Sequence, residues 1–283
     1  MSTSPPHYTA AHSATTTAAS PGLPWTAPAT APGPHRQVAS KESLETMAQL
    51  VKQQSIQHVA IIMDGNRRWA KIHERPATAG HEAGVESLQR VVRYCKDVGI
   101  GILTVYAFST ENWSRTATEV GFLMKLFAQA VSAQLPELNA QGVRLRFIGD
   151  LRALPLPLQG VLRLAEHTTE KNDQLLLQVA TNYGSRAELV QAARQIAQAV
   201  KAGQLQPNEI DEDTIDQYLY TQQQPAPDLL IRSGGEQRLS NFLLWQCAYT
   251  ELYVTPVLWP DFGAAELEQA LLTFAARQRR YGT

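Results

Sequence analysis

The sequence predicts an α/β fold, a single domain whose largely parallel, roughly six-stranded sheet is flanked by helices. Two observations lead there. From residue 57 onward, short apolar runs rich in β-branched residues alternate with helical patterns, and such alternation favours a parallel sheet with helices on both faces. Polar and cationic residues cluster directly after four of those runs, where open α/β sheets bind ligands, outside the carboxyl ends of their strands. A length of 283 residues and a hydrophobic content of 44% suit one such domain.

In chain order, residues 1–42 form an Ala/Thr/Ser/Pro-rich tail, and 43–283 the folded domain. Up to residue 40, Arg36 is the only charged side chain apart from histidines. Such a stretch buries too little apolar surface to offset its ordering entropy and is expected to be disordered; an organelle transit peptide is the alternative reading. Leu44, Met47, Leu50 and Val51 recur at helical spacing. Strands are expected at 58–63, 101–108, 143–148, 174–180, 227–231 and 251–254. Helices are expected near 81–98, 118–139, 157–170, 184–202, 211–220 and 263–279. The 118–139 helix carries Val120, Leu123, Met124, Phe127, Val131, Leu135 and Leu138, a stripe that suits a core-facing helix or a hydrocarbon tunnel wall equally well.

Bulk properties exclude several classes. A net charge of −1, from 25 basic and 26 acidic residues, gives no electrostatic case for nucleic acid. The two cysteines, Cys95 and Cys247, stand in no metal or redox spacing, which fits a reducing compartment. No GxGxxG follows a strand and no GxxxxGK[ST] occurs, so dinucleotide and P-loop readings lose their main support. Asp211, Glu212, Asp213 and Asp216 read as the solvated start of a helix, where acids suit the dipole.

Chemistry is concentrated in HVAIIMDGNRRWAK (58–71). An apolar run ends at Asp64-Gly65-Asn66, with Arg67, Arg68, Trp69 and Lys71 following. A carboxylate at a strand end can hold a metal, glycine lets backbone approach a ligand, and arginines fork two donors onto phosphate oxygens. Further clusters are Ser109 to Arg115 after the second strand, Asn182 to Arg186 after the fourth and Arg232 to Asn241 after the fifth. In a parallel sheet all four converge on one edge, with Arg68, Arg115, Arg232 and Arg238 making room for more than one phosphate group. Each alone has a plainer explanation as a turn, cap or loop residue; their joint placement favours a metal–polyphosphate site.

These residues resemble a known family. HVAIIMDGNRRWAK, AGHEAG (79–84), YAFSTENWSR (106–115), NYGSR (182–186), IRSGGEQRLSNFLLWQCAYTELY (231–253), WPDF (259–262) and RRYG (279–282) are similar, in order, to the cis-prenyltransferases, nearest the undecaprenyl diphosphate synthase type. The resemblance implies condensation of isopentenyl diphosphate onto an allylic diphosphate, farnesyl or geranylgeranyl, to give a Z-polyprenyl diphosphate of the undecaprenyl lipid-carrier type. It also implies a hydrophobic tunnel between sheet and helices. Asp64 corresponds to the aspartate that holds Mg²⁺ on the diphosphate, and Asn112 to the residue proposed in proton removal. Gly65, Asn66, Arg67, Arg68, Trp69 and His81 line the allylic site, with Ser109, Thr110, Glu111, Trp113 and Arg115 around it. Arg232, Arg238, Leu239 and Ser240 fall where isopentenyl diphosphate binds, and Glu251 where a second metal-site carboxylate lies. A homodimer, with Arg280-Tyr281-Gly282 reaching the partner's site, is implied, together with a cytoplasmic location and peripheral membrane contact for product release. A plastid location would follow if the tail is a transit peptide.

One departure matters. Ala77 stands where the family usually carries an arginine on the allylic diphosphate, and a charge-assisted hydrogen bond is worth about 1.5–3 kcal/mol. Among rivals, a haloacid-dehalogenase-like phosphatase needs a second aspartate where Asn66 stands, and all-α prenyltransferases need paired DDxxD motifs that are missing. The remaining alternative is a non-catalytic or altered-substrate homologue, but such partners typically lose the Asp and Arg set retained here.

Overall fold

The computed structural model describes residues 40–222 and 224–277, which fall in one compact unit. The tail up to residue 39 and the Arg280-Tyr281-Gly282 segment lie outside the described residues. Residues 40–42, placed in the tail by composition, instead open a helix. Ser40 Oγ accepts the Ser43 N–H at 3.2 Å, and α1 runs Lys41–Gln53.

Six strands form one sheet: β1 (His58–Ile62), β2 (Ile102–Ser109), β3 (Val143–Ile148), β4 (Leu175–Tyr183), β5 (Leu229–Arg232) and β6 (Glu251–Val254). Their order is β3-β4-β2-β1-β5-β6 and every pairing is parallel, so each run read as a strand forms one. The crossovers carry α2 (Asn66–Ile72), α3 (Ala77–Asp97), α4 (Ala117–Ala140), α5 (Leu156–Thr169), α6 (Ser185–Lys201) and α7 (Glu212–Tyr218), and α8 (Ala264–Ala275) follows the last strand. Helix α2 is absent from the sequence reading. Seven residues are too few to display a period, and its N-cap is Gly65 in the left-handed region with no side-chain cap.

Strand alternation divides the core. Val59, Ile61, Leu103, Val105, Leu177 and Val179 pack with α3, α4, α5 and α8 on one face. Ala60, Ile62, Tyr106, Ala180 and Leu230 pack on the other with Tyr183, Phe242, Leu243 and Cys247. Edge strand β3 is covered by α5: Thr169 Oγ1 accepts the Leu145 N–H at 2.9 Å and Glu166 Oε1 the Phe147 N–H at 2.7 Å. Those unpaired amides are thereby withheld from a foreign strand. Asp211 caps α7 by accepting the Thr214 N–H at 2.8 Å, as expected of an acidic helix start.

A polar string crosses the sheet inside this core. Gln178 Nε2 donates to Thr104 Oγ1 at 3.2 Å, Thr104 donates to His58 Nε2 at 2.7 Å, and His58 Nδ1 donates to Pro225 O at 2.7 Å. Since the carbonyl can only accept, His58 is neutral with its proton on Nδ1. Burial holds its pKa down at about 4 against an ordinary 6.5, only partly opposed by the Pro225 carbonyl and Asp228. The unfolded chain therefore binds the extra proton first. Stability is complete above about pH 6.5 and is lost as pH falls towards 4, by ~3 kcal/mol for this residue. Urea midpoints measured from pH 7.5 to 4.5 should fall across that window, and His58→Gln should flatten the slope. His81, also held down to about 4, leaves a residual slope; an unchanged slope in the variant would refute the assignment.

Candidate active site

Strand β1 ends at Ile62, and two residues on, the chain is fixed from three sides. Asp64 N–H donates to Ser233 Oγ at 2.9 Å, Ser233 Oγ donates to Asp64 O at 2.8 Å, and the Trp259 N–H reaches the same carbonyl at 2.9 Å. Gly65 then turns the chain at φ +110°, where a Cβ would meet Leu258 Cδ2 at 2.8 Å, so only glycine suits both the backbone and the space. The Asp64 carboxylate is thereby held at the carboxyl edge of the sheet between two guanidinium groups. Arg68 Nη2 stands 3.1 Å from Oδ1, and Arg232 Nη2 stands 2.9 Å from Oδ2.

Arg232, the last residue of β5, is buried at 4% exposure. Its Nη1 donates to Ser240 Oγ at 2.8 Å and to the Arg238 carbonyl, while its Nε has no partner. Arg68 Nη1 donates to Gly234 O at 2.6 Å. A Cβ at Gly234, which sits at φ +83°, would collide with Arg68 Nη2. Ser240 and Asn241 adopt φ of 49° and 63°, strain of about 1–3 kcal/mol each at the loop that binds Arg232. Leu239 packs on the core beside them, and Arg238 pairs through its side chain with Glu236.

The loops after β2 and β4 close on this one. Asn241 Nδ2 donates to Glu111 Oε1 at 2.9 Å, and Asn241 Oδ1 accepts the Arg186 N–H at 2.9 Å. Thr110 lies against Gly184, whose added Cβ would meet Thr110 Oγ1 at 2.6 Å. Trp113 Nε1 donates to Asn182 Oδ1 at 2.7 Å. Asn112 Oδ1 accepts the Ser109 N–H at 3.0 Å, capping the 3-10 turn Thr110–Ser114. That bond makes the Asn112 carboxamide the cap of the turn.

A second cationic group flanks the first. Glu119 Oε1 lies 3.0 Å from Arg115 and 4.0 Å from Arg67. His81 sits beside them with its pKa held down to about 4, chiefly by burial and then by the Arg115 and Arg67 charges. Its Nδ1 is 3.5 Å from Asn66 Nδ2, while His81 Nε2 and Asn66 Oδ1 are buried without partners. Buried polar atoms left unpaired are costly, and these two face a cavity.

That cavity, of about 170 Å³, runs between the sheet and helices α3 and α4. Asn66 and His81 line it alongside Met63, Ala107, Phe108, Phe147 and Val179. Helix α4 answers both readings of its stripe: Val120, Met124 and Val131 are buried, and Leu123, Met124, Phe127, Val131 and Leu138 line the cavity. The cationic edge therefore stands over an apolar interior.

Two expected residues lie elsewhere. Glu251 begins β6 in register with Leu229, whereas Arg232 pairs with Val254; it is at the amino end of its strand and is bonded to Arg277 Nη1 at 2.7 Å. Within one chain it does not join the Asp64 cluster, because the parallel register carries it to the opposite edge of the sheet. The Trp69 ring contacts Asp261 at 2.7 Å, the His73 ring and Arg75, none of them in that cluster. Arg75 is stacked over Trp69 with 6.0 Å to the ring centroid. Sequence patterning assigns Glu119 no role and places Ser233 only within the Arg232 to Asn241 cluster. Ser233 follows an arginine at a strand end, and Glu119 stands three residues after the N-cap Thr116, a spacing read first as capping.

Among the described residues no group of three His, Cys, Asp or Glu side chains could hold a metal. Magnesium, however, is usually held by one or two carboxylates plus substrate phosphates. Asp64, 30% exposed at its side chain and holding one arginine on each oxygen, fits that role as a single protein carboxylate.

Residues 62–282 match the family model described as "Putative undecaprenyl diphosphate synthase". The chain is 53% identical over 225 residues to an isoprenyl transferase from Heliobacterium mobile, covering 80% of this chain and 86% of the relative. It is 49% identical over 225 residues to a ditrans,polycis-undecaprenyl-diphosphate synthase ((2E,6E)-farnesyl-diphosphate specific) from Pseudomonas aeruginosa, covering 80% and 90%. The crystal structure of lavandulyl diphosphate synthase from Lavandula x intermedia, in complex with dimethylallyl diphosphate, superimposes with a TM-score of 0.80 at 41% identity, covering 82% of this chain and all of that one.

Proposed function

Because the chain belongs to the undecaprenyl diphosphate synthase family of prenyl-transferring enzymes, we propose that it adds isopentenyl diphosphate to an allylic diphosphate, farnesyl or geranylgeranyl, with Mg²⁺. The product would be a Z-polyprenyl diphosphate of the undecaprenyl type. The observation that carries this reading is the pairing of Asp64 with Arg68 and Arg232 at the sheet edge, in a stretch whose Met63 and Asn66 line an apolar cavity.

In the proposed reaction the allylic C–O bond breaks, the double bond of isopentenyl diphosphate attacks the freed carbon, and a proton passes from C2 to the released diphosphate. Charge grows on the departing diphosphate, so preorganised cations and donors around it lower the barrier. Mg²⁺ carried by the diphosphate and held by Asp64 would supply Lewis-acid neutralisation of that charge. Arg68 and Arg232 orient the Asp64 carboxylate and offer guanidinium edges to phosphate oxygens. Ser240 and the buried Arg232 define the second diphosphate position. Asn66 and His81, with unpaired polar atoms at the cavity mouth, bind the allylic head group. Asn112 positions the Thr110–Ser114 turn; a neutral carboxamide is too weak a base to take the proton itself. Exposed Leu244, Tyr249 and Leu252 near edge strand β6 favour a second copy of the chain as partner.

The discriminating experiment is incubation of the purified chain with isopentenyl diphosphate, farnesyl diphosphate and Mg²⁺, followed by chromatography of the lipid extract. Polyprenyl diphosphate supports the reading. Inorganic phosphate alone indicates a phosphatase, and no turnover indicates a non-catalytic homologue. A second test concerns residue 77, the first residue of α3. With Arg75 committed to the Trp69 ring, Ala77→Arg should lower the allylic KM by ~10- to 100-fold, the worth of one charge-assisted hydrogen bond. An unchanged KM would mean that another cation already fills the position.

A further inference from the structure

Glu188, in the first turn of α6, is a carboxylate at 1% exposure outside the charged cluster around Asp64. A buried carboxylate is costly unless donors satisfy it, and three do so here. The Tyr220 N–H reaches Oε1 at 2.8 Å, while Oε2 accepts from the Tyr183 hydroxyl at 2.5 Å and from Gln246 Nε2 at 3.2 Å. Gln246 Nε2 also donates to Thr221 Oγ1 at 2.9 Å. The donors come from three segments: the end of β4, the stretch before β5 and the loop after it.

That loop is hard to hold. Ser240, Asn241 and Leu243 have φ of 49°, 63° and 46°, a region that non-glycine residues keep only where surrounding contacts over-determine it. The first turn of α6 supplies such contacts. The Ser185 N–H donates to Asn241 O at 2.8 Å, the Arg186 N–H donates to Asn241 Oδ1 at 2.9 Å, and Ser185 Oγ accepts the Leu244 N–H at 3.0 Å. Glu188 then takes Gln246, two residues further along. Beneath the loop the Tyr106 ring stacks on Phe242 with centroids 4.5 Å apart. Its hydroxyl donates to Tyr183 O at 3.1 Å and lies 3.4 Å from Ser240 O, so Tyr183 and Tyr106 link Glu188 to Ser240 as well.

We propose that Glu188 is a positioning residue for the second diphosphate: through Gln246 and Tyr183 it holds the strained loop whose Ser240 hydroxyl and Arg238 carbonyl fix Arg232. The inference rests on the reading that Arg232 and this loop receive isopentenyl diphosphate. Glu188 is closed off from solvent and acts through its partners, by keeping the loop in its binding arrangement. A loop so arranged only a tenth of the time binds its ligand ~10-fold more weakly. The allylic group of Arg67, Arg115 and His81 is gathered around Glu119. It meets the loop through the turn that carries Glu111, bonded to Asn241, and should feel less of the change.

Steady-state incorporation of isopentenyl units tests this, with each substrate varied in turn at saturating levels of the other and of Mg²⁺. Glu188→Ala should raise KM for isopentenyl diphosphate by ~10-fold or more, the worth of one hydrogen bond to a charged group, with the allylic KM and kcat changing by less than about threefold. Glu188→Gln keeps the shape and still accepts from Tyr220, and should recover most of the affinity. Gln246→Met removes a single donor with little change in side-chain length. It should show the same split on a smaller scale, so the test stands even if alanine at 188 does not fold. A lowered melting temperature with both KM values unchanged in the folded variants overturns the proposal, because Glu188 would then serve stability alone. So do equal rises in the two KM values, which report general loosening of the edge. If the unsubstituted chain incorporates no isopentenyl units, the proposed function fails and this inference with it.

Discussion

Asp64→Ala is expected to lower turnover by at least ~10²–10³-fold, the usual cost of removing one electrostatic stabiliser from a reaction that develops charge. The carboxylate has two tasks in this geometry. It holds Arg68 at 3.1 Å and Arg232 at 2.9 Å, and in the proposed reaction it would also hold a diphosphate-bound Mg²⁺. Alanine removes both. Asp64→Asn separates them, because the carboxamide oxygen still accepts from one arginine while the negative charge is gone. If charge is what matters, asparagine should be nearly as impaired as alanine in kcat, and the circular-dichroism melts of both should stay cooperative. Steady-state incorporation of isopentenyl units at saturating Mg²⁺ measures the effect. Near-normal turnover by Asp64→Ala would sink the assignment of this edge as the reacting centre.

The parts of the fold set by side-chain period and strand alternation were legible in the sequence. Parallel strands buried on both faces read as continuous apolar runs, as HVAII and LLIR do at β1 and β5, and all six were found. Helix α2 was not, because a short helix that opens on a glycine and carries Arg67, Arg68 and Lys71 has neither a period nor a capping side chain. The site was legible where chemistry follows directly on a strand, as at Asp64 and Arg232. It was less so where a residue's place depends on register. Glu251 stands next to apolar strand residues just as Asp64 does, yet at the other end of its strand, and only the pairing with Leu229 separates the two cases. Partner choice was also beyond the sequence. Nothing in the spacing of Asn241 and Glu111, 130 residues apart, announces that they bond.

Arg232→Ala should have the largest effect on the second substrate. Its guanidinium is buried at the end of a central strand and bridges three groups: the Asp64 carboxylate, Ser240 Oγ and the Arg238 carbonyl. Removing one member of a fully buried charged pair typically costs ~3–5 kcal/mol; here Asp64 is 30% exposed and keeps Arg68, so the loss is smaller. Part of that loss falls on stability, since Ser240 and Asn241 are held at positive φ by contacts that Arg232 and the neighbouring loops provide. The rest falls on binding. Each charge-assisted bond to a phosphate oxygen is worth about 1.5–3 kcal/mol, so KM for isopentenyl diphosphate should rise by ~10- to 100-fold. The allylic KM should change less, because Arg67, Arg115 and His81 form a separate group around Glu119. Arg232→Lys distinguishes charge from geometry: an ammonium keeps the charge but cannot fork to Asp64 and Ser240 together, so it should restore stability more than it restores KM. Equal rises in both KM values for the alanine variant would mean that Arg232 acts only by holding Asp64, and that the second diphosphate is bound elsewhere on this edge.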